Sequence, residues 1–192
     1  DLHGAPSCSL RNNQGFIVDA QPPAHIGEDI PAFRLVDKVE ADLDDETTEI
    51  AATMALAWSR AWNGGGAHGT VFWVKPGQVS KSAVTGEYVG KGAFIIRGKR
   101  TWYKDIDLRL GVGLVAINGI PLLMSSTPEH IADICTRYIV ITPGREKKEN
   151  VANRIYKSTG LSVDDILPIL PGNCEITEDV GLIKFKKVEK DE

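Results

Sequence analysis

Two apolar runs, Leu108–Ile117 and Ile120–Met124, are separated only by Asn118-Gly119. Asn-Gly suits a two-residue hairpin turn, whose central residues both take positive φ. The pattern therefore predicts an antiparallel hairpin, and a hairpin must bury its apolar face against another element. The segment Asp45–Trp62 is predicted to be that element. Asp44, Asp45 and Thr47 offer caps, and acids sit in the first turn. Ile50, Met54, Ala57, Trp58 and Ala61 recur at helical spacing, and Asn63-Gly64-Gly65-Gly66 ends the segment. Its alanines keep it slim enough for close packing on a sheet.

Further strands are expected at Thr70–Val74, at Ala93–Arg97 and at Tyr138–Thr142, the last ended by Pro143-Gly144. A strand and turn are read over residues 5–20: Cys8 and Leu10, then Asn12 to Gly15, then Phe16–Val18. Helices are expected from Thr127-Pro128, over Arg145–Ser158 with Val151 and Ile155 inward, and over Asp164–Ile169 capped by Ser162. Residues 174–177 and 181–188 read as a terminal hairpin. The expected fold class is α+β, with a mixed or largely antiparallel sheet packed on one long helix. Residues 1–125 and a small α/β C-terminal lobe, 126–192, form the expected division.

Charge is distributed unevenly. Between Glu28 and Glu49 nine acids face Arg34 and Lys38, which predicts a solvated acidic loop over residues 28–46. Residues 75–104 reverse the sign. Lys75, Lys81, Lys91, Arg97, Lys99, Arg100 and Lys104 oppose only Glu87, a net +6 inside a chain of net charge −4. Trp73, Tyr88, Phe94, Trp102 and Tyr103 are interleaved or adjacent, and Ser80, Ser82 and several glycines fill the gaps. Cations neutralise phosphates, small residues let backbone N–H groups approach them, and aromatic faces can stack on unpaired bases. Trp73 and Phe94, alternating within strands, are expected in the core.

Other chemistries find little support. No apolar run approaches the ~20 residues of a membrane helix, and the N-terminus has no signal-peptide pattern. Cys8, Cys135 and Cys174 are odd in number and far apart, against a disulfide framework. The histidines lack zinc-ligand spacing. Gly86 to Gly92 falls one residue short of a P-loop. Gly111-Val-Gly113 imitates a dinucleotide fingerprint without the strand-to-helix transition that motif needs. Asp1 and His3 would share a face if their segment were a strand, an arrangement for an acid–base pair or, more simply, a structural hydrogen bond. No catalytic group, metal or cofactor is assigned.

The sequence resembles the RNA-binding domain of the NFACT family, NFACT-R. Asp1-Leu2-His3-Gly4-Ala5 is similar to its DLHGA motif. Ser59-Arg60-Ala61-Trp62 is similar to its S-x-A-W helix end. Residues 74–83 resemble its VxPxQVSKTA segment, Thr85–Val89 its SGEYL, and Gly92–Arg100 its GSFMIRGKK. The blocks keep the family's order over residues 1 to about 117. The later part resembles the C-terminal extension of archaeal members.

The resemblance implies a cytoplasmic RNA-binding module of a ribosome-associated quality control factor. That factor binds the large ribosomal subunit carrying a stalled peptidyl-tRNA and engages tRNA. Lys75, Ser80, Lys81, Lys91, Arg97, Lys99 and Arg100 are the expected RNA contacts; Asp1, His3, Glu87 and Tyr88 belong to motifs without an assigned role. The chain is expected to be a C-terminal fragment lacking upstream strands, with self-association through the exposed sheet edge. The alternative is a protein-interaction module that docks a ribosomal protein or another NFACT domain.

Overall fold

The computed structural model describes residues 8–20, 30–38 and 42–183. Its backbone is a six-stranded mixed sheet organised around β7 (Leu110–Ile117). One edge of β7 pairs antiparallel along its length with β8 (Ile120–Ser126), through the Asn118-Gly119 turn, where φ is +50° and +79°. The other edge is shared by two strands. β9 (Tyr138–Glu146) takes its first half, antiparallel from Leu110↔Ile141 to Gly113↔Tyr138. β2 (Ala32–Asp37) takes its end, parallel at Ala32↔Ala116 and Phe33↔Ile117. β1 (Gln14–Val18) then pairs with β2, and β10 (Cys174–Val180) with β9.

Alternation along β7 divides the core. Leu110, Val112 and Leu114 join Ile139 and Ile141 in the main cluster. α1 (Asp45–Ala57) supplies Leu56 and Ala57 to it, and α4 (Lys148–Thr159) supplies Val151, Ala152 and Ile155. Val115 faces the opposite way, onto Ile131 and Cys135 around α3 (Pro128–Ile134). The glycines of the false dinucleotide fingerprint explain how α3 comes so near. A Cβ on Gly111 would lie 2.6 Å from the Ile131 Cβ, and one on Gly113 would strike the Cys135 sulfur.

Local caps act where the sequence places them. Asp44 accepts the Thr47 N–H at 2.6 Å, and the Thr47 hydrogen bonds hold its carboxyl below the ordinary value. Ser162 accepts the Asp165 N–H to cap α5 (Val163–Ile166), and Gly160 ends α4 at φ +77°.

Several expectations are corrected. The long helix stops at Ala57, because the buried Ser59 donates to the Leu56 carbonyl and accepts the Ala61 N–H, starting a separate turn, α2 (Arg60–Asn63). The most buried residues of α1 are Thr48, Ala52, Thr53, Leu56 and Ala57; of the expected set Ala57 is among them, while Met54, Trp58 and Ala61 pack against the same core only partly buried. Small side chains let the sheet approach, and Gly69 sits directly against Leu56.

The expected acidic loop contains β2. Its Ala32 to Val36 is apolar apart from Arg34 and is flanked by acids, and Ala32 is buried against Ala116. β9 continues through Pro143-Gly144, where Pro143 opposes Cys174 and a Cβ on Gly144 would crowd Glu175. Residues 8–13 form no strand, so the expected strand at Cys8 and Leu10 is absent. Cys174–Val180 is one strand beside β9; of the expected second half, 181–188, residues 184–188 lie outside the described residues.

The expected boundary at 125/126 falls at the last residue of β8, in a sheet that takes strands from both sides of it. Trp62, 1% exposed, spans that division by donating its indole N–H to the Asn173 carbonyl at 2.8 Å.

Candidate nucleic-acid interface

After α2 the chain leaves the main sheet as β3 (His68–Trp73) and returns as β6 (Thr101–Asp107), an element the sequence reading missed. The two pair antiparallel at Val71↔Tyr103, Phe72↔Trp102 and Trp73↔Thr101. Tyr103 anchors the hairpin, its hydroxyl sharing a 2.7 Å hydrogen bond with that of Thr48 on α1. Residues 74–100 form an arm beyond it. Among the described residues the arm's own ladder is short: β4 (Val79–Ser80) against β5 (Ile95–Ile96).

The arm is closed by polar bonds rather than a core. Gln78 accepts the Lys75 N–H at 3.0 Å through Oε1. Its Nε2 donates to the carbonyls of Arg97 and Lys99, each at 2.9 Å. Glu87 accepts the Val84 N–H and pairs with Arg97 at 2.6 Å. Ser80 spends its hydroxyl locally, accepting the Ser82 N–H and donating to the Ser82 carbonyl. The sequence gives Gln78 no role beyond its place in the 74–83 motif. Its pinning role has a sequence signal in retrospect: a short amide side chain after Pro76-Gly77, which cannot extend a strand.

Each expected RNA contact has a defined place. Lys81 stands over the Phe94 ring, 5.5 Å from its centre. With Val89, Gly90, Gly92 and Ala93 these two residues line an open recess of about 240 Å³. Arg100 lies over the Phe72 ring at 4.9 Å. Lys75, Lys91 and Lys99 are exposed, and Tyr88 is 92% exposed. The structure therefore joins Lys81 to Phe94, Arg97 to Glu87 and Arg100 to Phe72. It makes Arg97 half-neutralised and Ser80 structural, and leaves the lysines open. Asp1 and His3 lie outside the described residues.

Trp73 and Phe94 are not core residues, being 37% and 44% exposed. Trp73 is the last residue of β3, where the ribbon gives way to the arm, and among the described residues no element forms a layer over β4–β5. The result is a surface on which cations and aromatic rings alternate, suited to phosphates and bases together.

The comparisons with known proteins fall on this part of the chain. The family model described as NFACT protein RNA binding domain matches residues 1–98. The archaeal Rqc2 homolog aRqcH of Methanocaldococcus jannaschii is 35% identical over 150 residues, covering 76% of this chain and 22% of that protein. The ribosome quality control complex subunit NEMF of Mus musculus and of Homo sapiens is 36% identical over 111 residues, covering 58% of this chain and 8% of each relative. The chain thus spans about a fifth or less of the curated relatives it matches. No solved structure gives a significant match. With the family's motif blocks forming the pins and cations of a projecting arm, the chain belongs to the NFACT protein RNA-binding domain family.

Proposed function

We propose that this chain is the RNA-contacting module of a ribosome quality control factor. In this reading it works in the cytoplasm, against rRNA of the large subunit carrying a stalled peptidyl-tRNA and against the tRNA itself. Its role is binding, without a catalytic step. One observation carries the reading: the exposed cationic and aromatic arm at residues 74–100 lies almost wholly within the family match. Ion pairing with phosphates should dominate, so affinity should fall steeply with salt. The test is a mobility-shift titration of tRNA and of purified large subunits between about 50 and about 200 mM salt. Lys81→Ala with Lys99→Ala should weaken binding and flatten the salt slope. Salt-independent binding, or unchanged affinity in the double variant, overturns the reading.

A second reading has one feature in its favour. Glu146, Glu175, Glu178 and Asp179 line an acidic recess beside β10, with Arg154. That surface suits a basic ribosomal protein. Ribosome binding that survives ribonuclease and is lost in Glu175→Lys with Glu178→Lys would favour it.

A further inference from the structure

The hairpin that carries the arm has an outer face of its own. Val71 packs on the main core and Tyr103 reaches Thr48, so this side of β3–β6 faces α1. Strand alternation turns Phe72 and Trp102 the opposite way. They are directly cross-strand, with ring centres 5.0 Å apart and planes inclined at 56°. The Arg100 guanidinium covers Phe72, and Trp102 remains 48% exposed. Arg100, just before β6, thus joins Trp102 on this face, and the regular ladder ends soon after, at a bulge over residues 104–105 where Asp105 takes φ +54°.

Aromatic rings ordinarily serve a core by burial, and this pair forgoes much of it. Exposed rings flanked by cations suit a partner that offers a flat π-face beside a negative charge. An unpaired nucleotide has both. Duplex RNA has the charge, but its base faces are occupied by neighbouring bases. We propose that Trp102, Phe72 and Arg100 form a stacking platform for an unpaired nucleobase, with Arg100 also reaching a flanking phosphate. The platform gives the chain a preference for single-stranded or loop RNA over duplex. The proposal rests on the RNA-binding reading above and adds the class of RNA selected.

The test uses the 192-residue chain and three probes of equal length: a single-stranded oligonucleotide, its blunt duplex, and a single strand with abasic sites. The single strand should bind tighter than either of the others by at least about fivefold, the usual worth of one stacked base. Trp102→Ala should erase that preference, and Trp102→Phe should keep most of it. Arg100→Ala, which leaves the ring pair in place, should reduce it. Tryptophan emission should be quenched by the single strand in the parent chain and much less in Trp102→Phe.

An undiminished preference in Trp102→Ala and Arg100→Ala, with salt-dependent binding retained, overturns the platform and leaves the RNA reading standing. Equal affinity of the parent chain for intact and abasic strands does the same. Absence of salt-dependent binding to every probe overturns both.

Discussion

Gln78 and Gly98 meet where the arm closes on itself. Nε2 of Gln78 bridges the carbonyls on either side of Gly98, and a Cβ at Gly98 would stand 3.0 Å from that nitrogen. Gly98 also has φ +82°, a conformation that other residues adopt only with strain. Gly98→Ala and Gln78→Ala should therefore each loosen residues 74–100 while sparing the main sheet. Hydrogen exchange should show faster amides in the arm alone, with the melting temperature nearly unchanged. Equal protection in both variants would refute the pin.

The Glu87–Arg97 pair is a second clasp, made of exposed charges. Such pairs contribute only about 0–1 kcal/mol. Glu87→Gln should leave global stability close to the parent and raise exchange over residues 84–90. It should also release Arg97, making the salt slope of RNA binding steeper by up to about 0.9, the share of one phosphate contact. An unchanged slope would mean that Arg97 stays folded against the arm.

The glycines of β7 should be far less forgiving than those of the arm. Gly111→Ala would force its methyl into Ile131, and Gly113→Ala into Cys135, in a region already close-packed. Overpacking of this kind costs roughly 1–3 kcal/mol. Urea denaturation should show each variant less stable by that order, with little change in RNA affinity once folded.

What could be read from the sequence follows how local each signal is. The Asn118-Gly119 hairpin, the Val151/Ile155 face of α4 and the Gly160 stop each depend on residues a few places apart, and each is found. β2 went unread because its contact with β7 crosses some 80 residues and rests on two parallel pairs, while its acidic flanks dominate the composition. β6 went unread because it is half polar, Thr-Trp-Tyr-Lys-Asp-Ile-Asp, and is a strand only beside β3. At the site, the sum of charges was legible and its arrangement was not. Nothing in the order of residues tells that Glu87 will cancel Arg97, or that Trp73 and Phe94 will find no covering layer.

Burial pushes the thiols of Cys135 and Cys174 up to about 11; at Cys174 the Glu146 carboxylate adds to that effect. Cys8 is exposed. A thiol reagent at mildly alkaline pH should label Cys8 in the native chain and the other two only after unfolding. Because the folded values are raised, these two sites favour the native state below the unfolded thiol value of about 8.5. That contribution is lost as pH climbs towards 11. A Tm that rises over this interval would contradict the assignment.

Among the described residues β1 is an edge strand, with Phe16, Ile17 and Val18 exposed, Val18 at 74%. Unprotected apolar edges recruit further strands. Light scattering should show mass increasing with concentration, and Val18→Lys with Phe16→Lys should hold the chain monomeric. Association undiminished in that variant would move the contact elsewhere.

The bond from the Trp62 indole to the Asn173 carbonyl joins groups 111 residues apart. During synthesis at about 5–20 residues per second, the indole is made on the order of ten seconds before its acceptor exists. The cationic arm at residues 74–100 is made in the first part of that interval, so it is complete while the element that secures its base is still untranslated. Any early contact between the nascent arm and nearby RNA would therefore precede the completion of its own support.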